Sequence, residues 1–206
     1  MNTIQILGLA LGSAWTSGIN LYATVAALGL LERYGLAHLP GDLKVLANPW
    51  VLGVAIALYV VEFFADKIPY VDTVWDAVHT FIRVPAGAVL AYGATAQLDP
   101  AARTVALLAG GGLALSSHGT KATLRAAANV SPEPFTNWAL SFGEDVLVVA
   151  AVALAVVKPL VILLVILVFL IVAAWLLPKI VRRLRRLFAR AGEILSGRAR
   201  KETAPL

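Results

Sequence analysis

Apolar and polar positions divide the chain into long apolar runs separated by short polar or proline-containing breaks. Thr3 to Tyr34 is apolar but interrupted. Ile4–Leu11 and Leu21–Leu31 flank a small polar patch, Gly12-Ser13-Ala14-Trp15-Thr16-Ser17-Gly18-Ile19-Asn20. As one helix this stretch would extend about 48 Å, too long for one untilted crossing. A broken helix or a re-entrant hairpin is predicted instead. Gly8, Gly12 and Gly18 allow close helix packing, and backbone groups freed at a break must line a polar interior rather than face lipid. Gly35 to Pro49 reads as a loop, with a turn at Pro40-Gly41-Asp42. Trp50 to Asp66 is the next span and ends at Lys67-Ile68-Pro69. A helix with a charged stripe follows. Pro85 and Gly87 are expected to break it, and Ala86 to Gln97 completes the crossing before the turn at Asp99-Pro100.

Arg103 to Asn129 repeats the first pattern: Thr104–Leu115 is apolar, Ser116-Ser117-His118-Gly119-Thr120-Lys121 is polar, and Ala122–Ala128 resumes. Pro132-Glu133-Pro134 is expected to end it. Phe135 to Val157 is a span with Glu144 and Asp145 near its centre. Lys158-Pro159 separates it from Leu160–Leu177, which Pro178 is expected to close. The run LALGSAWTSGINLYATVAA (Leu9 to Ala27) aligns with LALSSHGTKATLRAAANV (Leu113 to Val130). This predicts two homologous halves, about 1–98 and 99–178, each a broken or re-entrant segment plus two helices. The fold class is therefore all-α: a polytopic membrane domain over 1–178, its halves related by inversion, followed by a basic tail over 179–206. Inverted repeats with interrupted helices are a recurring plan of secondary transporters, with the site near the midplane.

Composition supports the membrane class. The chain has 206 residues, 60% hydrophobic and 14% charged, whereas soluble domains are about a quarter charged. Mean hydropathy is +0.83. Several runs approach the roughly 20 apolar residues that cross a bilayer, and no period-2 pattern suggests a barrel. The formal charge of +5 is uneven: nine Lys/Arg and two acids from Lys179 onward give that segment +7, leaving residues 1–178 at −2. The basic balance thus belongs to the tail and does not point to nucleic acid. In the tail, Ile180, Val181, Leu184, Leu187 and Phe188 form an apolar stripe on a basic helix, the pattern of an interfacial helix on anionic lipid. Lys179–Arg190 is expected along the cytoplasmic surface. Six crossings would place the N-terminus on that same side. Four crossings with two re-entrant segments would put Lys44 and Arg103 inside and Lys67 outside. No Lys or Arg precedes the first apolar stretch and no cleavage pattern follows it, so it does not read as a removable signal peptide. The chain has no cysteine, which excludes disulfides, thiolate metal sites and cysteine catalysis.

Candidate chemistry concentrates in ionisable residues at predicted membrane depth. With Asp72 at zero on a helical wheel, Asp76 falls near 40°, His79 near 340° and Arg83 near 20°, at about 100° per residue. The four share one stripe, opposite Val74, Trp75, Val78, Phe81 and Ile82. Each intramembrane charge costs about 2.5–3.5 kcal/mol on insertion scales, so such a stripe faces the protein interior. Asp72, Asp76 and His79 share the spacing of a weak metal-site candidate, but Arg83 on the same stripe repels a metal, and no metal or other cofactor is called for. Glu62 and Asp66 share a face one turn apart. Glu144 and Asp145 point about 100° apart, so at least one is expected to meet Lys121, Arg125 or His118. Thr16, Ser17 and Asn20 at the first break, and Ser117, His118, Thr120, Lys121 and Arg125 at the second, complete the expected substrate or ion pathway. The segment Thr16–Asn20 is expected to approach His118–Lys121 near the bilayer centre.

The stretch Glu62-x3-Asp66-Lys67-Ile68-Pro69-x-Val71-Asp72-x2-Trp75-Asp76-x2-His79-Thr80-x-Ile82-Arg83, followed by Pro85-Ala86-Gly87-Ala88, resembles a bacterial membrane family known only as domain of unknown function 4126. Ser17-Gly18-Ile19-Asn20 and Ser117-His118-Gly119-Thr120-Lys121 fit the same resemblance, over about residues 5–178. It implies a multi-pass bacterial membrane protein and supplies no activity. The residues favour a small secondary transporter or channel-like permease of the bacterial inner membrane, for an ion or small polar solute. A membrane-embedded enzyme or lipid-handling protein is the alternative, using Ser116, Ser117, His118, Lys121, Arg125 and Arg83 on a phosphorylated lipid, with Glu144 or Glu62 as acid/base. A structural or assembly protein docking through the tail is a third reading. The expected partners are the bilayer, anionic lipid at the tail, a small ion or solute and, in a homo-oligomer, further copies of the chain.

Overall fold

The computed structural model describes the backbone of residues 1–130 and 134–202 and the side chains of 1–130 and 135–186. The expected Pro132-Glu133 turn, the Leu187 and Phe188 side chains of the basic stripe and most of the tail's charges lie outside the described residues. Seven α-helices account for most of the chain: α1 (Thr3–Ile19), α2 (Leu21–Arg33), α3 (Pro49–Ala65), α4 (Val71–Ala94), α5 (Pro100–Ala128), α6 (Pro134–Val157) and α7 (Pro159–Glu202). A short 3-10 helix, Gly41–Ala47, fills part of the expected loop before α3 and meets α3 at a bend of 70°. Among the described residues there is no strand.

Local chemistry sets the helix starts. Asn2 and Gln5 form a reciprocal capping box on α1. Asn48 caps α3 and Asp99 caps α5, each followed by a proline at the first helical position, where its missing N–H is harmless. The first predicted break lies at a single residue. α1 continues through the polar patch to Ile19, Asn20 is extended (φ −145°, ψ 102°), and its side chain then caps α2 by accepting from the Ala23 N–H at 2.9 Å.

Three other predicted breaks are corrected. α5 runs unbroken from Pro100 to Ala128. Its hydroxyls at Ser117, Thr120 and Thr123 bond carbonyls one turn back, so they decorate the helix without interrupting it. α4 continues through Pro85 to Ala94. Only the bond to the Phe81 carbonyl is forfeited there, and Gly87, Leu90 and Ala91 beyond it are buried in the bundle. α7 likewise passes through Pro178 to Glu202. The tail is thus the continuation of α7, not a separate helix, and Arg182 Nε reaches back to the Pro178 carbonyl at 3.0 Å.

α1 is the central element, buried on almost every side from Ile6 to Ile19 and packed against α4, α5, α6 and α7. Its apolar contacts form the main core: Leu9, Ala10, Ala14 and Trp15 with Val148, Ala151, Val152, Ala155, Ile162 and Ile166. Small residues let the backbones close. A side chain on Gly87 would strike Ala114, and one on Gly18 would strike Ser117 and the Ala114 carbonyl.

Inter-helix contacts sort the helix ends into two faces. At the first face, Gly8 lies on Pro159, Arg33 reaches the Ala47 carbonyl, Gly41 abuts Ala96, and Arg103 pairs with Asp42 at 3.4 Å. At the second, Asn129 bonds Asp72 at 3.0 Å and Asn137 bonds Asn129 at 3.2 Å, while Lys67 bonds Ser141 at 3.1 Å. α1 starts and α2 ends at the first face, so the pair doubles back at Asn20. α3 to α7 each run from face to face. The chain therefore begins at one face and its tail leaves from the other, unlike either expected version, because one segment re-enters and the other does not.

The outside of the bundle is apolar. Val74, Val78, Phe81, Ile82 and Val89 of α4 and Val105, Leu108 and Leu115 of α5 are exposed, while the ionisable residues of α4 below Pro85 are buried. α6 and α7 are each long and apolar enough to cross a bilayer, with mean hydropathies of 2.1 and 3.5 over their apolar windows, and the bent pair Gly41–Ala65 adds a third candidate.

Candidate functional site

The ionisable residues of four helices converge inside this apolar shell. Asp72, Asp76, His79 and Arg83 of α4 are all buried, and Asp72 and Arg83 have no exposed surface. Glu62 and Asp66 arrive from α3, His118, Lys121 and Arg125 from α5, and Glu144 from α6. Arg83 donates to Glu62 Oε1 at 2.6 Å and to Asp76 Oδ1 at 3.1 Å. Lys121 Nζ lies 2.6 Å from Asp66 Oδ2 and 3.4 Å from Glu144 Oε2. Arg125 grips Glu144 with a two-pronged contact, Nε to Oε1 at 3.3 Å and NH2 to Oε2 at 2.7 Å, and donates to the Asp66 carbonyl at 2.5 Å. Arg125 also lies 3.7 Å from Asp72.

Five carboxylates (Glu62, Asp66, Asp72, Asp76 and Glu144) thus share three cations. The formal imbalance shows in the hydrogen bonds. Glu62 Oε2, Asp66 Oδ1, Asp72 Oδ2 and Asp76 Oδ2 are buried and receive no donor among the described residues. Such acceptors are costly in a low-dielectric interior.

The break at Asn20 feeds this network. Beyond it the carbonyls of α1 lose their partners in α2, and two of them face the cations. Gly18 O accepts from Arg83 at 3.4 Å and Ile19 O from Lys121 at 3.2 Å. The negative end of α1 therefore points at two positive charges. Asn20 Nδ2 donates to Asp145 Oδ1 at 3.2 Å, so Glu144 and Asp145 take separate partners. Thr16–Asn20 and His118–Lys121 lie side by side, joined also by Ser117 Oγ to the Trp15 carbonyl at 2.7 Å.

Both buried histidines have partners that fix their tautomers. His118 Nδ1 accepts from Arg83 at 3.0 Å, leaving Nε2–H to donate to the Asp76 carbonyl at 3.0 Å, with Thr80 Oγ1 at 2.8 Å. His79 has the opposite arrangement: Nδ1–H donates to the Trp75 carbonyl at 2.8 Å and Nε2 accepts from Tyr22 at 3.1 Å. Its ring stacks on Trp75 at 4.1 Å.

The weak metal candidates do not assemble. Asp72 is held by the Thr73 N–H and Asn129, Asp76 by Arg83, and His79 by Trp75 and Tyr22. Among the described residues no group of three or more His, Cys, Asp or Glu is arranged for a metal ion. Ser117 and His118 form no hydroxyl–imidazole pair, because Ser117 is spent on backbone carbonyls and His118 on Arg83 and α4. Thr16, Ser17 and Thr120 spend their hydroxyls on their own helices. Glu62, Asp66, Asp72, Asp76, Arg83, His118, Lys121, Arg125 and Glu144 form the network, Asn20 and Asp145 pair beside it, and His79 is held by Trp75 and Tyr22.

Sequence reasoning passed over Tyr22, Thr80, Asn129, Asn137 and Ser141. A signal existed for three of them. Asn129 continues the stripe His118, Lys121, Arg125 one turn on, and Ser141 and Asn137 continue the stripe of Glu144 and Asp145 one and two turns back.

A model of the family described as Domain of unknown function (DUF4126) matches residues 7–179. The chain belongs to the DUF4126 family. The match covers the helical bundle from Leu7 in α1 and stops where the basic part of α7 begins. No curated protein and no solved structure matches the chain. The family description assigns no chemistry, so the functional reading rests on the ionic network.

Proposed function

We propose that this DUF4126 protein is a small secondary transporter or channel-like permease of the bacterial plasma membrane, moving an ion or small polar solute. One observation carries the reading: a column of buried charge runs inward from one face of the bundle and ends where the re-entrant α1–α2 pair turns back. From Asp72 at the second face to Arg83 the column is roughly 16 Å deep, at 1.5 Å rise per residue. That is about half of a 30 Å hydrocarbon layer. Buried ionisable residues in a membrane are expensive and mark ion and proton pathways, and broken helices point their ends at such sites. An excess of two carboxylates over cations suits a path that receives positive charge.

The basic segment Lys179 to Arg186 leaves from the second face. By the positive-inside rule that face is cytoplasmic, so the column starts beneath the cytoplasmic face and the N-terminus lies outside. Lys44 and Arg103 then sit on the outer side and Lys67 on the inner. This orientation reverses the four-crossing expectation for these three residues, because α5 crosses fully.

The test is flux. Purified protein in liposomes, with and without an imposed pH gradient, is expected to move at least one member of a broad panel of ions and small metabolites, and Arg83→Met to abolish the movement. Absence of flux across the panel, from protein whose fold is verified by its unfolding transition, overturns the proposal.

A further inference from the structure

Around the ionic network the protein wall is thinnest at Glu144. Its side chain is 14% exposed, whereas those of Glu62, Asp66, Asp72 and Asp76 are at most 4% exposed. Glu144 lines a cavity of about 300 Å³ between α1, α5, α6 and α7. The hydroxyl and charged side chains in its wall are already spent: Ser117 bonds the Trp15 carbonyl, Thr120 the Ser116 carbonyl, Lys121 Asp66, and Glu144 Arg125. The rest of the wall is aliphatic and aromatic. It includes Leu124 of α5, Leu147 of α6 and the rings of Trp15 and Phe169, which meet edge to face at 5.2 Å. A space whose charged groups are paired suits an apolar occupant better than a polar solute.

The cavity has the length of a lipid chain. On α7 it is lined from Phe169 to Ile180. At 1.5 Å rise per residue that is about 16 Å, roughly half of a 30 Å hydrocarbon layer, or the depth of one leaflet. Ile180 adjoins Lys179, where α7 leaves the bundle at the second face, so the cavity occupies the leaflet on that side. Two of its lining residues, Leu147 and Val172, are 42% and 47% exposed, which opens it sideways to lipid.

Past Ile180 the same side of α7 becomes basic. Arg183 comes two turns after Leu176 of the cavity wall, about 20° from it around the helix axis. It joins Lys179, Arg182 and Arg186 around an open cleft. Among the described residues none of these four meets a carboxylate. An apolar slot one leaflet deep therefore ends at four cations, at the level of the headgroups.

We propose that this cavity seats one acyl chain of an anionic phospholipid, whose phosphate rests on the basic cleft of α7. A cavity of this size, at the lower end of ligand pockets, takes one chain, and the second chain stays in the bilayer. Arginines suit the phosphate because the guanidinium fork matches its oxygens. The seated chain covers Glu144 and Lys121, so the lipid completes the wall between the ionic network and the bilayer. The site is independent of what the protein moves.

Two measurements on the full chain test this. In nanodiscs of phosphatidylcholine with a minor fraction of phosphatidylglycerol, the phosphatidylglycerol carries a diazirine near the end of one acyl chain. After irradiation, peptide mapping is expected to find Leu147, Phe169 and Val172 labelled at least threefold more than Phe81 and Leu115, which are exposed on α4 and α5. The same diazirine on phosphatidylcholine is expected to show no such preference. Even labelling of all these positions, or an equal preference from both lipids, overturns the proposal. Native mass spectrometry then separates chain from headgroup. Ala173→Phe fills the cavity and is expected to lower retained phosphatidylglycerol at least threefold; Val172→Trp at the cavity mouth serves the same purpose if Ala173→Phe fails to fold. Arg183→Gln is expected to weaken phosphatidylglycerol binding about fivefold, the value of one charge at an anionic surface. Loss in Arg183→Gln with full retention in the cavity variants confines the lipid to the cleft and overturns the chain seat.

Discussion

Arg83 is the residue whose removal the structure prices most directly. It is fully buried, and its guanidinium joins Glu62 at 2.6 Å, Asp76 at 3.1 Å, His118 Nδ1 at 3.0 Å and the Gly18 carbonyl at 3.4 Å. Arg83→Met keeps much of the volume and removes the charge. Glu62 and Asp76 then retain only Lys121, at 3.6 and 3.7 Å. Breaking a buried pair by deleting one partner costs about 3–5 kcal/mol, since the survivor is left charged and unpaired. At roughly 2–4 °C per kcal/mol for a chain of this size, the unfolding midpoint should fall by about 6–20 °C.

The cause is separable from lost packing. Glu62→Met alone should also destabilise, by leaving Arg83 with one carboxylate fewer. Arg83→Met combined with Glu62→Met removes both charges and puts apolar groups in contact, a replacement that is often neutral or stabilising. The double variant is therefore expected to lose clearly less than the sum of the singles, a coupling of at least about 1 kcal/mol in a double-mutant cycle. Differential scanning of tryptophan fluorescence in a mild detergent reads all four proteins. Additivity of the two losses, or an Arg83→Met midpoint within 1–2 °C of the wild type, would refute the assignment of the central charge pair.

Asn20→Ala should cost about 1 kcal/mol through the lost cap on α2. Asn20→Asp keeps the cap but sets a carboxylate against Asp145, 3.2 Å away, so it should be the worse of the two in the same scan; the reverse order would contradict the contact. Gly18→Ala has no room beside Ser117 and the Ala114 carbonyl and should cost about 1–3 kcal/mol by overpacking, whereas Gly53→Ala and Gly112→Ala meet open space and should be neutral or gain up to about 1 kcal/mol. Lys179, Arg182, Arg183 and Arg186 line an open cleft of about 270 Å³ on α7. Replacing the three arginines by glutamine should strip co-purified anionic lipid, seen by native mass spectrometry, at about 1 kcal/mol per charge; unchanged lipid retention would remove the headgroup role.

Legibility in the sequence followed the strength of the local signal. The charged stripe of α4 was readable because burying four ionisable residues at helical spacing has one inexpensive solution, an inward face, and all four are buried. Glu144 with Arg125 and Lys121 was readable as a set of candidates, because opposite charges at membrane depth must meet. The breaks were harder. The polar patches at Gly12–Asn20 and Ser116–Lys121 look alike, yet one helix ends at Asn20 and the other continues. The difference is one side chain: Asn20 can cap a new helix, and the serines and threonines of α5 satisfy themselves on carbonyls one turn back. Pro85 and Pro178 misled for a related reason. In an apolar surrounding a helix keeps every backbone bond it can, so one missing N–H does not end it.

The ionic network also accounts for the way these helices choose their neighbours. The exposed apolar faces carry little pairing information, because lipid tails are as apolar as leucine. The charges do carry it. α3 brings two acids and no base into the interior, α5 two bases and no acid, α4 acids with one arginine, and α6 an acid. None of these helices satisfies its own buried charges, and any wrong neighbour strands several, at a few kcal/mol each. α1 needs no charge to take its place, since the carbonyls freed at Asn20 are drawn to Arg83 and Lys121. Specificity of assembly would require only as many acids as bases. The extra carboxylates, and the buried oxygens that no donor reaches, go beyond what assembly needs. A purely structural network would lose stability by keeping them. The proposed pathway for positive charge would give them a use.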